Sequence, residues 1–175
     1  MIGASADWSL RLARSEDADH LPAIERAAGQ MFRGDPDLAQ LDFDDSWEPD
    51  ELRRLIRRGH SLVAHCGDAP AGFLASQPFK RELHVWELSV HPDHQRRGIG
   101  AGLMRACMID ARNSGFAAIT LTTFRDIAWN GPFYARLGFE EVREPVTHAR
   151  LAQQLDEEGQ HLPRTRRCAM IRFLN

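Results

Sequence analysis

The sequence predicts a single α/β domain over residues 1–175, in which helices flank a mixed, mainly antiparallel sheet of about six to seven strands. With 175 residues and 43% hydrophobic content, the chain is long enough to bury one sizeable core. Apolar stretches that alternate or are rich in β-branched side chains predict the strands. A strand over Leu83–Val90, a helix to about Asn113 and a strand over Ala118–Thr123 predict one crossover between parallel strands.

The other predicted elements follow in chain order and are bounded by turn residues. Beyond the crossover, the predicted strands are Trp8–Leu12, Ser61–Cys66, Ala71–Ser76, Glu140–Val142 and Arg167–Leu174. The other predicted helices are one that follows an N-cap at Ser15, then Leu52–Arg58, a short helix after Asn130, and Val146–Glu158. Neither a repeat nor a low-complexity tract interrupts this order.

The predicted fold is organised around the stretch Glu87–Met104, which combines a strand, a sharp turn and the start of a helix. The turn reads Gln-Arg-Arg-Gly-Ile-Gly, and its two glycines let a ligand approach the backbone closely. The first-turn amides of a helix have no acceptor within the helix, and the helix dipole is positive there. Because Arg96 and Arg97 add positive charge, the turn predicts a site for a phosphate or pyrophosphate.

The spacing in this turn distinguishes between known nucleotide-binding motifs. The dinucleotide motif G-x-G-x-x-G fails because Leu103 occupies its third glycine position, and the chain contains no G-x-x-x-x-G-K-S/T. The pattern Gln/Arg-x-x-Gly-x-Gly/Ala fits Gln95–Gly100, which follows a strand that ends near Val90. In these features, and over most of its length, the chain resembles the GNAT superfamily of acyl-CoA-dependent N-acyltransferases.

A second group of residues supports the resemblance. GNAT proteins typically carry a helix with a Phe-Tyr pair and then a Gly-Phe that enters the next strand; these match Phe133-Tyr134 and Gly138-Phe139. By position, the resemblance implies that Tyr134 protonates the departing CoA thiolate, and a purely structural tyrosine is the alternative. Family members commonly place an Asn about two turns before this Tyr, whereas Asn130 lies only four residues before it. Asn130 is therefore either a contact of the pantetheine arm or a helix N-cap.

The resemblance implies an acetyl-CoA-dependent N-acetyltransferase that uses no metal. The pantetheine arm is expected along the central strand and the pyrophosphate at the turn. The residues expected to bind acetyl-CoA are Leu88, Ser89, Val90, Gln95, Arg96, Arg97, Gly98, Ile99, Gly100, Ala101, Asn130 and Tyr134. An amine then attacks the thioester directly, without a covalent enzyme intermediate. This reaction needs a base for the ammonium proton and an acid for the thiolate.

Two side chains of the central strand are candidates for the general base. Because strand residues alternate between faces, Glu87 and His84 point to opposite sides unless a bulge intervenes. A half-buried carboxylate can have its pKa raised toward neutrality and also attracts the ammonium, whereas a histidine needs little change in pKa but offers no negative charge. This favours Glu87 over His84. A water chain or Glu25 is the third candidate.

The segment Asp35–Glu51 is strongly acidic and contains no Lys or Arg. One interpretation is a solvated loop followed by acidic residues in the first turn of the next helix. The other is an acidic lip that attracts a cationic amine, with Phe43 and Trp47 as an apolar wall. Since amine acceptors are mostly protonated at neutral pH, such a lip would raise their rate of encounter.

Composition excludes several other classes of protein. The net charge of −3 and the pI near 6.2 give no support for binding nucleic acid or a membrane surface. No apolar run of about 20 residues indicates a membrane span, and the N-terminus does not read as a signal peptide. The cysteines are three and widely spaced, which favours a reducing cytoplasm; two of them, Cys107 and Cys168, are predicted in the core.

The preferred hypothesis is an acetyltransferase that acts on a primary amine of a small molecule. A protein or peptide N-acetyltransferase is the first alternative, and it would need an open cleft rather than an acidic, walled one. A non-catalytic acyl-CoA-binding sensor is the second, and it would bind without turnover. The cluster of Arg164, Arg166 and Arg167 is interpreted as solvated surface. The alternatives are that it stabilises a homodimer or contacts the 3′-phosphate of CoA.

Overall fold

The protein is described by a computed structural model, which defines residues 7–42, 45–143 and 148–174. Its contacts divide the chain into two compact units. The first comprises Met1–Gln77 and Glu87–Asp110, and the second comprises Pro78–Trp86 and Ala111–Asn175. The strand that carries the two base candidates therefore contributes to both units, with Glu87 in the first and His84 in the second.

The first unit contains one antiparallel part of the sheet and three helices. Its strands are β1 (Ser9–Leu12), β2 (Leu62–Cys66), most of β3 (Ala69–Phe79) and the second part of β4 (Glu82–Val90). Its helices are α1 (Leu21–Gly29), α2 (Pro49–Ile56) and most of α3 (Ile99–Asn113). β2 pairs antiparallel with β1 and with β3, and the pairing with β3 has a register shift between Ala64 and His65. The strands predicted at Ser61–Cys66 and Ala71–Ser76 therefore form a hairpin.

The second unit contains the parallel crossover pair. Its strands are the first part of β4, β5 (Ala118–Phe124), β6 (Glu140–Glu141) and β7 (Arg167–Phe173), and its helices are α4 (Gly131–Arg136) and α5 (Ala149–Glu158). β4 runs parallel to β5, with Leu83 opposite Ile119, and β7 runs antiparallel to β5 and β6. The strand order is β1-β2-β3-β4-β5-β7-β6. The predicted mixed, mainly antiparallel sheet of the α/β fold is confirmed.

The apolar positions that predicted the elements form the core of each unit. Leu103, Met104 and Cys107, which share one face of α3, have no exposed surface. Cys168 in β7 is also buried, and burial raises the pKa of the Cys107 thiol to about 12 and that of Cys168 to about 11. Both cysteines are thus core residues, as predicted.

The start of the first helix differs from the prediction. Ser15 was predicted as an N-cap, but a short 3₁₀ turn over Ser15–Asp19 comes first and α1 begins only at Leu21. The carboxylate of Asp17 accepts from the Arg14 amide at 2.7 Å and binds the Arg11 guanidinium through both oxygens. Asp17 is 7% exposed, and its carboxylate bonds the amide of Arg14, which occupies the N-cap position that was expected at Ser15.

The C-terminal arginines also differ from the prediction of a solvated cluster. Each is paired with a carboxylate, Arg164 with Asp156, Arg166 with Asp126 and Arg167 with Glu158. Arg167 is buried and stacks over the Phe124 ring. The solvated-surface prediction is therefore wrong for Arg167, because α5 carries Glu158 to its side chain.

Two further predictions concern residues outside the described ranges. Phe43, expected in the wall of the acidic lip, lies there, and so does Val146, expected as the start of the helix that the structure begins at Ala149. Within the described ranges, no helix is both long and apolar enough to cross a membrane.

Candidate active site

The turn between β4 and α3 has an unusual backbone. Arg96 and Gly98 adopt left-handed conformations, with φ of +60° and +83°. A glycine takes this conformation without penalty, whereas at Arg96 it costs about 1 kcal/mol. The Gln95 side chain closes the turn, since its Nε2 donates to the Val90 carbonyl at 2.9 Å and lies 3.0 Å from the Met31 sulfur. The sequence motif thus forms a defined loop between strand and helix.

The loop leads directly into the open end of α3. The Gly102 amide donates to the Gly98 carbonyl at 2.9 Å and makes the first bond of this 15-residue helix. The preceding amides of Ile99, Gly100 and Ala101 have no acceptor within the helix. The buried side chain of Ile99 fixes the first turn in the core. These amides and the helix dipole can stabilise an anion at this position.

The two arginines of the loop differ in their surroundings. Arg96 is exposed. The Arg97 guanidinium lies 3.2 Å from Nδ1 of His94, 3.6 Å from Sγ of Cys66 and 3.5 Å from the Asp7 carboxylate. Part of the positive charge that the sequence assigns to the anion site is therefore engaged by the protein itself.

Glu87 and Ser89 lie on the same face of β4, as the two-residue spacing requires. The Ser89 hydroxyl donates to Oε1 of Glu87 at 2.6 Å, and Ser89 is buried. Leu88 and Val90 are half-buried on the opposite face. The structure therefore joins a predicted base candidate to a predicted acyl-binding residue.

Glu25 of α1, the third base candidate, has a carboxyl group with a strongly raised pKa. Its Oε2 accepts from the Trp47 amide at 2.9 Å. Burial, and then the negative charge of Glu87, raise the pKa of Glu25 to about 8. A pocket of about 340 Å³ opens beside it and is lined by Glu25, Asp45, Ser46, Trp47 and Glu51. In the sequence, Glu25 lies away from the centre of the apolar stripe of its helix, which also fits a solvated helix face.

His84, the other base candidate, lies in the second unit and is fully buried. Its Nδ1 is 2.9 Å from the Thr120 hydroxyl, and its ring packs edge-on against Phe79 and Trp86. Its Nε2 has no hydrogen-bond partner among the described residues. Burial, and then the positive charge of Arg150, lower the pKa of His84 to about 3.

Tyr134 and Asn130 also lie in the second unit, at α4. Tyr134 is 8% exposed, and its ring packs edge-on against Phe133 and Phe139. Asn130 occupies the N-cap position without a capping bond: its Nδ2 donates to the Trp129 carbonyl, and its Oδ1 is buried with no partner in the described part of the chain. A buried oxygen without a hydrogen bond destabilises the fold. A ligand amide that donates to Oδ1 of Asn130 would remove this cost.

No three His, Cys, Asp or Glu side chains within the described ranges are grouped so that they could hold a metal ion.

Comparison with known proteins agrees with this geometry. Residues 57–141 match the acetyltransferase (GNAT) domain. The chain is 30% identical over 109 residues to the N-alpha-acetyltransferase RimI of Mycobacterium tuberculosis, which covers 57% of this chain and 65% of that protein. It is 33% identical over 120 residues to the mycothiol acetyltransferase of Mycobacterium avium, which covers 67% and 36% respectively. The matched part thus spans less than two thirds of either relative.

Among solved structures, the fold is similar to the PaiA N-acetyltransferase from Thermoplasma acidophilum in complex with coenzyme A. The TM-score is 0.73 at 14% identity, over 95% of this chain and 98% of that one. This similarity shows the fold alone. The sequence matches show that the chain belongs to the GNAT acetyltransferases.

Proposed function

We propose that the protein transfers the acetyl group of acetyl-CoA to a primary amine of a small molecule by direct attack, with general base and general acid assistance. The observation that carries this proposal is the loop Gln95–Ala101, whose left-handed residues and open helix amides fit a pyrophosphate. Acetyl-CoA supplies the activated acyl group. The pantetheine arm is proposed to run along Leu88–Val90 of β4. In the second unit, Oδ1 of Asn130, which has no partner among the described residues, is suited to accept a hydrogen bond from an amide of this arm.

Glu87 is proposed as the general base, with Glu25 as its partner. Two neighbouring carboxylates in a poorly solvated place repel each other, so one of them retains a proton. Burial and the negative charge of Glu87 raise the pKa of Glu25 to about 8, so Glu25 holds that proton at neutral pH. The negative charge of Glu87 attracts the ammonium, and Glu87 accepts its proton. His84 is a poorer candidate, since a pKa of about 3 makes it too weak to deprotonate an ammonium.

Tyr134 is proposed as the general acid that protonates the CoA thiolate. This role comes from its match to the family motif and is consistent with a buried side chain packed between two aromatic rings. The acid and base thus act on different atoms of the reaction: the base takes the proton of the amine, and the acid gives a proton to the sulfur.

The acceptor is proposed to be a cationic small amine, because the pocket beside Glu25 is lined by Glu25, Asp45 and Glu51 and walled by Trp47. A protein or peptide amine is the second candidate, favoured by the similarity to a protein named N-alpha-acetyltransferase. A sensor that binds acyl-CoA without turnover is the third. A homodimer and a cytoplasmic location stay predictions.

Calorimetry of acetyl-CoA binding tests the foundation of the proposal. Gly98→Asp or Gly100→Asp places a negative charge at the anion site, and the affinity should fall by more than tenfold, about 1.4 kcal/mol. Gly98→Asn separates charge from strain, because Asn tolerates the left-handed conformation and is neutral. Gly34→Asp, at an exposed glycine with open space around it, is the matched control. If both loop variants bind acetyl-CoA with unchanged affinity, the loop is not the site of the pyrophosphate and the proposal is contradicted.

Turnover then separates the three candidates. Acetyl-CoA consumption is measured against a panel of diamines, amino acids, aminoglycosides and short peptides with free N-termini. A small amine with the highest kcat/KM supports the proposal, and a peptide with the highest value supports the second candidate. Tight binding of acetyl-CoA without turnover of any amine supports the sensor.

A further inference from the structure

A tryptophan from the N-terminal part of the chain packs against the start of α3. Gly102, the first glycine after the loop, faces the indole of Trp8 so closely that a Cβ at this position would lie 2.4 Å from Cη2 of the ring. Real side chains do not approach to this distance, so only glycine at position 102 leaves room for the indole. Neither the anion-site motif nor the proposed chemistry accounts for this contact.

The same indole is hydrogen-bonded to the loop. Nε1 of Trp8 donates to the Arg97 carbonyl at 3.1 Å. Because the peptide bond is planar and trans, the Arg97 carbonyl and the Gly98 amide point in opposite directions. Holding the carbonyl on the indole therefore fixes the direction of the Gly98 amide. The hydrogen bond from Trp8 also occupies the Arg97 carbonyl oxygen, whose partial negative charge would otherwise repel an anion at the loop.

The braced peptide lies at the strained part of the loop. Arg96 and Gly98, on either side of Arg97, are both left-handed, and for Arg96 this conformation is intrinsically unfavourable. Within the loop, Gln95 fixes the end next to β4. Trp8 fixes the end next to α3, from a segment far away in sequence.

We propose that Trp8 is a positioning residue for acetyl-CoA: by holding the Arg97–Gly98 peptide, it orients the loop so that the Gly98 amide joins the open amides of α3 at the pyrophosphate. Gly102 is the residue that admits it. The inference rests on the proposed function, because it assumes that the loop binds acetyl-CoA. It assigns to Trp8 and Gly102 an effect on coenzyme binding and none on the acid or base.

Two substitutions disrupt the contact of Trp8 with the loop in different ways. Trp8→Phe keeps an aromatic ring against Gly102 but removes the Nε1 donor. Gly102→Ala leaves the loop sequence intact but displaces the indole, although Ala is the better residue inside a helix. Each should raise the Kd and the KM for acetyl-CoA by about threefold to tenfold, which is the change in affinity expected for the loss of one hydrogen bond. Saturating kcat and the KM for the amine should stay within about twofold. Gly34→Ala is the matched control, since nothing lies within 4 Å of a Cβ there.

The double variant makes the test specific. If Gly102→Ala acts by displacing the indole, it should add little to Trp8→Ala, so the two effects should be strongly non-additive. Additive losses, or single variants that bind acetyl-CoA as the wild type does, overturn the inference while the proposed function stands. Wild-type protein that does not bind acetyl-CoA overturns both. A lowered melting temperature with unchanged Kd at a temperature where the variant is folded identifies a merely structural contact and also overturns it.

Discussion

Glu25 and His84 are both titratable side chains that the fold shields from water, Glu25 in part and His84 fully. The effects on their pKa values are opposite. For Glu25, burial and the charge of Glu87 raise the pKa to about 8. For His84, burial and the charge of Arg150 lower the pKa to about 3. In both cases the buried side chain is held in its neutral form, since burial penalises whichever form is charged.

The same physical effect has different chemical consequences at the two positions. In the proposed mechanism, a neutral Glu25 leaves the negative charge of Glu87 available to the ammonium of the acceptor. A neutral His84 has lost its basicity, and its Nδ1 is engaged with Thr120. The difference teaches that burial makes a histidine a weaker base, whereas burial makes a carboxylate a stronger one.

The largest expected effect comes from Glu87→Gln. Removal of a general base typically lowers the rate by about 10²- to 10⁴-fold, so kcat/KM should fall by that amount and lose its ascending limb with pH. His84→Gln and Glu25→Gln should keep kcat within about threefold below pH 8, because a glutamine mimics the protonated Glu25. Exposed Glu140→Gln is the matched control. A large loss for Glu25→Gln with full rate for Glu87→Gln would make Glu25 the base.

A second test concerns Tyr134, the buried group that should donate rather than accept a proton. Tyr134→Phe keeps the ring between Phe133 and Phe139 and removes only the hydroxyl. We expect kcat to fall by about 10²-fold or more while the affinity for acetyl-CoA, measured by calorimetry, stays within a few-fold. A variant that turns over within two- to threefold of the wild type would show that the hydroxyl is structural and that water protonates the thiolate.

The smallest expected effect is on stability, and its sign differs between the two sites. The folded-state pKa of Glu25 lies above its ordinary value, so its contribution to stability is complete below about pH 4.5 and is lost as the pH rises to about 8. The folded-state pKa of His84 lies below its ordinary value, so its contribution is complete above about pH 6.5 and is lost as the pH falls to about 3.

Melting temperatures measured from pH 4 to pH 9 check these slopes. The melting temperature of Glu25→Gln, relative to that of the wild type, should rise by several degrees as the pH increases. The melting temperature of His84→Gln, relative to that of the wild type, should rise as the pH decreases, whatever the difference between the two proteins at neutral pH. Parallel curves of melting temperature against pH for the wild type and Glu25→Gln would contradict the raised pKa of Glu25.

The backbone-built part of the site could be predicted from the sequence alone. Gln95–Gly100 is contiguous, so the glycines, the strand before them and the helix after them were all visible in one stretch. The apolar spacing in α3 and β5 likewise predicted the crossover and its parallel pairing, which the register of β4 and β5 confirms. Such features depend on local propensity and periodicity, which a short segment carries by itself.

The capping of the first helix could not be predicted in the same way. Ser15 has the right residue type for an N-cap, yet the Asp17 carboxylate bonds the Arg14 amide and pairs with Arg11 of β1. Only Arg11 belongs to another element, β1, and its ion pair with Asp17 depends on how that strand packs against the turn. The same reason explains Arg167, whose partner Glu158 lies on α5.

By itself, the sequence determined the order of strands and helices, the loop with its open amides and the family to which the chain belongs, because each is encoded in contiguous residues. Only the tertiary structure decided which distant side chains meet. The charge of Glu87 reaches Glu25 of α1, and the indole of Trp8 reaches Gly102 of α3, through the packing of elements that are far apart along the chain. Burial is likewise a property of the assembled fold, and it gives Glu25 and His84 their opposite pKa values.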